Sequence, residues 1–416
     1  MSRFLTTLTV GARRTEGVFA IQHLRQALDA GVITADVEVP AANLQPASLD
    51  LRLGAEALRL RCSFLPNKYP VAERAHELIE GEPIDLTGDG ALLDKGRPYL
   101  VRLQERLALP EDVRARANPK SSTGRADVFT RVITDKGHTF DDIRAGYNGE
   151  LWLEVVPLSF PVRIREGLTL NQLRLSAGST RLSDGEVTEM HRDAPLLYRG
   201  GGVVNDRHFA VSNGLFLGLN LKGDRSGFVG YVARETAPNL DLRQVGGAEV
   251  DVYWERVNKE PRDHIVLAPR RFYLLMSDEA VAIPSHCAAE MTAYDPTSGE
   301  LRTHYAGFFD PGFGYGRKGE IEGSTAALEV RAHDVAFLIE HRQRVCKLTF
   351  EYMLDEPETV YGEAISSNYQ QQTSTLGKHF QRGGSAPAER KRPPSDDAPQ
   401  LFSPMEQPVD GAGNRD

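Results

Sequence analysis

The 416-residue chain is poor in cysteine, has no excess of positive charge and contains no long apolar run. Cys62, Cys287 and Cys346 are far apart and odd in number, which excludes a disulfide framework and fits a reducing compartment. A net charge of −9 excludes a general affinity for nucleic acid, whose backbone demands clustered Lys and Arg. It leaves room for an anionic small ligand, which a few local cations and backbone N–H groups can hold. No stretch approaches the roughly 20 apolar residues needed to span a bilayer. The opening MSRFLTTLTVGARR lacks the apolar core of a signal peptide. A cytoplasmic protein, without nucleic-acid or membrane partners, is expected.

Catalytic signatures are missing too. No H-E-x-x-H, G-x-S-x-G or Walker loop occurs. A zinc nucleobase deaminase needs a His-x-Glu or Cys-x-Glu element and a Pro-Cys-x-x-Cys element. Residues 284–290, PSHCAAE, offer a His, a Cys and a Glu but no second cysteine nearby. Any hydrolytic deamination is therefore expected to proceed without zinc, with a carboxylate activating water.

Glycine (38) and proline (24) are plentiful and favour short strands joined by turns. One helix is predicted, over GVFAIQHLRQALDAG (17–31), from the stripe Phe19, Ile21, Leu24, Leu28 and the closing Gly31. Strands are predicted at 47–54, 150–156, 160–164 and 170–176, and again at 214–223, 249–257, 270–277, 326–332 and 345–353. Residues 181–208 are polar and punctuated and are expected to connect two domains, 1–180 and 209–382. Residues 383–416, rich in Pro, Gly and mixed charge, are expected to form a disordered tail. The halves echo each other, each with a glycine-bearing hairpin (AGYNGELWLEV; AGFFDPGFG) followed by a closing strand, as a duplicated domain would.

Three segments can carry chemistry. NPKSSTGR (118–125) gathers hydroxyls, a glycine, Lys120 and Arg125 in one loop, suited to phosphate oxygens or simply to a solvated turn. In HYAGFFDPGFG (304–314) Asp-Pro-Gly signals a turn, and Glu329 follows in an apolar strand, either facing solvent or buried as a general acid and base. YGEAISSNYQQQTSTLGKHF (361–380) is either a mobile arm that closes on a ligand or plain linker.

Taken together, these segments resemble the dCTP deaminase family of the dUTPase-like superfamily. LQPASLDLRLG (44–54) resembles its early strand, and PKSSTGR its phosphate-binding R-S-S-x-x-R, with Lys120 for the usual arginine. AGFFDPGF with ALEV resembles its hairpin and glutamate strand, and YGEAISSNYQQQ its closing arm, with Asn368 for a lysine. The resemblance implies two tandem β-clip, distorted-barrel domains, mainly β, with a short N-terminal helix. It implies hydrolysis of dCTP to dUTP and ammonia, with Glu329, Ser121, Arg125 and the Ala306 carbonyl around the attacking water. Lys120, Ser122, Gly124, Asp310, Ala327, Tyr361 and Gln372 then take substrate-binding places. Magnesium accompanies the triphosphate, zinc is not used, dTTP is a candidate inhibitor, and self-association is open.

The departures suggest one composite site. The first half keeps the serine loop but has Arg144 where the hairpin aspartate belongs; the second keeps Asp310 and Glu329 but reads TAYDPTSGELR in place of the loop. Glu154, in LWLEV, is the rival glutamate. A dUTPase or bifunctional deaminase–diphosphatase is the second reading, since Tyr147 and Gly149 give the first hairpin a uracil-binding look. A non-catalytic nucleotide-binding regulator is the third.

Overall fold

Short alternating strands fold here into two antiparallel systems with a shared seam. The computed structural model describes residues 1–293, 301–304, 307–363 and 375–381. The tail expected at 383–416 lies outside the described residues.

In the first half the sheet runs in the order Val128–Thr134, Asn148–Pro157, Tyr99–Ala108, Leu49–Arg59, Thr169–Ala177, Val113–Pro119, Asp142–Ile143. Its two ends meet, because Asp141 N donates to Val132 O at 3.0 Å and Val132 N to Asp141 Oδ1 at 2.7 Å. The sheet thus nearly closes into a barrel, and Leu49, Leu51, Leu153, Leu173 and Leu175 fill it.

The second half repeats the central pairing. Asn148–Pro157 lies between Tyr99–Ala108 and Val128–Thr134, and Ser324–Ala332 lies between Phe272–Val281 and Leu301–His304, all antiparallel. Glu154 sits opposite Leu100 and Arg131; Glu329 sits opposite Leu274 and His304. A further sheet, Leu215–Gly218, Arg344–Tyr352, Cys287–Ala293 and Phe308–Phe309, completes this half.

Successive strand residues point to opposite faces. On Ser324–Ala332, Ala326, Leu328, Val330 and Ala332 enter the second core. Ala327, Glu329 and Arg331 point the other way, at the first half. The neighbouring strand does the same: Tyr273 and Leu275 belong to the second core, Phe272 and Leu274 to the first. Trp254, Tyr253 and Phe380 also enter the first core, and Val162 pairs in parallel with Leu240. The two halves therefore share buried surface instead of touching through a linker.

Several expected boundaries move. Gly17–Val18 is a short strand, and the helix is Ile21–Asp29. A Cβ at Gly17 would stand 2.4 Å from Leu354 N, so the glycine serves a close backbone approach and not a helix start. An unpredicted helix, Arg3–Leu8, precedes it. Residues 181–208, expected as a connection, hold the helix Asp184–Asp193 and the strands Leu197–Arg199 and Gly202–Val203. Ser183 and Glu186 cap that helix reciprocally, and Val187 enters the second core. The strand expected at 249–257 begins as a helical turn, Val250–Tyr253, before Trp254–Asn258. Among the described residues no helix is long and apolar enough to cross a membrane.

Candidate functional site

The hydroxyl-rich loop is buried, not a solvated turn. Lys120 is extended, Ser121–Gly124 make one helical turn, and Arg125 N closes it on Ser121 O at 3.0 Å. Thr123 Oγ1 donates to Leu170 O at 2.8 Å and pins the turn to the adjoining strand. Ser122, Thr123, Gly124 and Arg125 are buried, and Ser121 and Lys120 half-buried. Lys120 Nζ pairs with Asp50 and donates to Thr169 Oγ1 at 3.1 Å.

Glu329 reaches this loop from the other half. Only 6% of it is exposed, and burial pushes its carboxyl up to about 8. Arg125 opposes that shift and the Asp127 carboxylate adds to it, so both charges bear on its ionisation. A carboxyl poised near neutrality beside a buried guanidinium can take and return a proton. Asp310, on the hairpin turn, pairs with Arg174 of the first half at 3.4 Å. Burial raises it to about 6, with Arg174 opposing and Asp50 adding. The turn depends on Gly312, whose φ of +92° brings it against Val360. Phe313 lies between Phe309 (5.0 Å between centroids) and Tyr361 (5.4 Å), so Tyr361 is set on the hairpin. Ala327 is buried on the same strand face as Glu329. Ala306 and Gln372 lie outside the described residues, as do Asn368 and most of the arm.

The rival residues are engaged elsewhere. Glu154 is 1% exposed and accepts from Ser63 Oγ at 2.7 Å and from Arg131 at 2.9 Å. Arg131 stacks over Phe140 at 3.6 Å, and Trp152, Leu60, Leu78 and the helix Val71–His76 pack a small core there. Tyr147 is 2% exposed, donates to Glu150 O at 2.6 Å and, by burial, is raised to about 12; its ring is packing, not an open platform. Arg144 lies 6.0 Å from that ring. In PSHCAAE the groups diverge: Cys287 faces Met190 Sδ at 3.8 Å with its thiol raised by burial to about 12, while Glu290 binds Arg116 at 2.6 Å and Asn118 at 2.9 Å.

One participant escapes the sequence pattern. Residues 375–381 cross the loop: Arg125 donates to Thr375 O at 3.4 Å, and a Cβ on Gly377 would lie 3.3 Å from Arg125 Cβ. Phe380 anchors this strap against Trp254 (5.5 Å) and Tyr253 (5.6 Å). Lys378 thereby comes within the influence of Lys120 and Asp50, and burial, with Lys120, lowers its ammonium below the usual lysine range. The only signal for it was a Gly-Lys-His-Phe run closing a polar segment.

The family described as 2′-deoxycytidine 5′-triphosphate deaminase matches twice, its N-terminal domain over residues 15–179 and its C-terminal domain over 183–380. A dCTP deaminase of Natronomonas pharaonis is 30% identical over 152 residues, 36% of this chain and 75% of that protein. A dUMP-forming dCTP deaminase of Clavibacter michiganensis is 33% identical over 153 residues, 35% of this chain and 69% of that protein. The crystal structure of the 2′-deoxycytidine 5′-triphosphate deaminase from Agrobacterium tumefaciens superposes with a TM-score of 0.77 at 41% identity, over 83% of this chain and all of that one. Mainly β, paired half against half and matched by both domain descriptions, the chain belongs to the 2′-deoxycytidine 5′-triphosphate deaminase family.

Proposed function

We propose that the chain hydrolyses dCTP to dUTP and ammonia at one composite site, with the phosphate side from the first half and the base side from the second. The observation that carries this reading is the burial of Glu329 within the field of Arg125. In this chemistry water adds to C4 of the cytosine while Glu329 accepts its proton. The carboxyl passes that proton to N3, then takes the proton of the new C4 hydroxyl and hands it to the exocyclic nitrogen. The C4 carbonyl forms as the C4–N bond breaks and ammonia leaves, so one water is consumed and none of the triphosphate is lost. Ser121, Arg125 and the Ala306 carbonyl orient the water. Asp310 takes the sugar, Ala327 backbone and Tyr361 the base end, and Lys120, Ser122 and Gly124 the phosphates, with Gln372 closing from the arm.

A carboxyl raised to about 8 suits this work, because a base near ambient pH both accepts and donates. The route needs no zinc. Magnesium belongs with the substrate: it is held mainly by phosphate oxygens and water, and the carboxylates of Asp50, Asp127 and Asp310 already pair with Lys120, Arg331 and Arg174. The three cysteines are free thiols, which suits the cytoplasm; the place in deoxypyrimidine supply follows from dUTP as the product of the proposed reaction.

The test is ammonia release from dCTP by Glu329→Gln and Ser121→Ala proteins; both lose activity on this reading. Near-full activity of Glu329→Gln overturns it. A second reading, release of dUMP and pyrophosphate from the same site, is favoured by the dUMP-forming relative. Separating the products of dCTP and dUTP incubations distinguishes the two.

A further inference from the structure

We propose that Asp127 and Arg331 are positioning residues, a cross-half clip that sets where the Glu329 carboxylate stands relative to Arg125. Arg331 follows Glu329 by two residues and shares its strand face. Asp127 follows Arg125 by two residues. The Arg331 guanidinium donates to Asp127 Oδ2, forming an ion pair between the loop and the strand. It lies one strand repeat, about 6.8 Å along the chain, from the Glu329–Arg125 encounter.

The clip is built in, not incidental. Asp127 has no exposed surface, and its carboxylate also accepts from Ser159 Oγ. Its backbone is held on both sides, N to Gly124 O at 2.8 Å and O from Leu158 N at 2.9 Å. It keeps φ at +55°, a left-handed geometry that non-glycine residues seldom adopt. Arg331 is 17% exposed and its guanidinium lies 5.6 Å from the Phe272 ring, which limits its swing. A buried ion pair adds little net stability over apolar packing but is costly to half-remove, so its best-attested use is to fix one arrangement. The arrangement fixed here is the approach of a strand to a loop that no short connection joins.

The inference rests on Glu329 as the base. Among the described side chains, the charged and titratable groups that bear on that carboxyl are Arg125 and Asp127 from the loop and Cys346 from the Arg344–Tyr352 strand. Removing either member of the clip changes the charge Glu329 feels, with opposite signs. Asp127→Asn deletes a negative charge and strands a positive one, so Glu329 ionises at lower pH. Arg331→Met leaves Asp127 uncompensated, so Glu329 ionises at higher pH.

The experiment is the pH profile of kcat/KM for dCTP with wild type, Asp127→Asn, Arg331→Met and Arg331→Lys, each checked for a cooperative melt. The expected result is an ascending limb displaced downward in Asp127→Asn and upward in Arg331→Met, by roughly half a unit or more each. Loss of up to about a hundredfold in kcat accompanies Arg331→Met, since small misplacements of a reacting group cost that much. Arg331→Lys returns the limb toward wild type. Limbs that move together, or not at all, overturn the proposal and leave the pair as structural glue. If Asp127→Asn melts below assay temperature, the Arg331→Met and Arg331→Lys pair decides alone. A fully active Glu329→Gln protein would instead sink the assignment of the base, a distinguishable failure.

Discussion

Glu329 and Arg125 belong to different halves of the chain, yet the guanidinium of one bears directly on the ionisation of the other. The encounter exists because Ser324–Ala332 buries both of its faces, one in its own core and one against the first half.

Burying that carboxyl has a cost that depends on pH. Its pKa is raised in the folded state, from 4.5 to about 8, so the folded protein binds this proton more tightly than the unfolded chain. Stability from this group is fully present below about 4.5 and is lost as pH rises through about 8. Glu329→Gln removes the penalty. Thermal melts are expected to show the variant more stable than wild type at pH 9, with the gap closing toward pH 5. The sign reverses the usual effect of deleting a charged side chain.

Glu154 is expected to matter for folding and not for turnover. Its oxygens are taken by Ser63 and Arg131, so Glu154→Gln weakens a buried ion pair at a cost of about 1–3 kcal/mol. Urea titration measures the loss; kcat stays within a few-fold of wild type.

Phe380→Ala should loosen the strap without touching the loop. The lost packing is about 3–5 kcal/mol locally, and KM for dCTP rises more than kcat falls. Lys378→Met gives the same KM effect with little change in melting temperature, and a weaker salt dependence of binding, because it removes one cation from the phosphate side. A KM unchanged by both substitutions would remove the strap from the site.

The strap is also acid-sensitive. His379 is buried, with Nδ1 2.9 Å from Gln244 O, and burial lowers it to about 4. A histidine with a depressed folded pKa contributes stability that is present above about 6.5 and lost as pH falls toward 4. His379→Gln should flatten that part of the stability–pH curve.

Much of the fold was legible because strand alternation is a local signal: 150–156, 170–176 and 326–332 fall within observed strands, and 47–54 and 345–353 overlap Leu49–Arg59 and Arg344–Tyr352 with ends one or two residues off. Alternation says which residues share a face, not what covers it. From its strand alone Glu329 reads as solvent-facing, the commoner place for a charged residue, and only the first half packed against that strand buries it. Gly17 was misread for a related reason, since its partner Leu354 is distant in sequence. The Ser183–Glu186 capping box is a local signal, spaced three residues apart, but it lies within a polar stretch that otherwise reads as loop. Lys378 carried no local pattern at all; its place follows from where Phe380 is anchored.

The most direct measurement compares ammonia release from dCTP by Glu329→Gln and Glu154→Gln proteins at saturating substrate. The composite site predicts a fall of about 10²- to 10⁴-fold for the first and near-normal turnover for the second. Normal turnover by Glu329→Gln, with activity lost in Glu154→Gln, would contradict it.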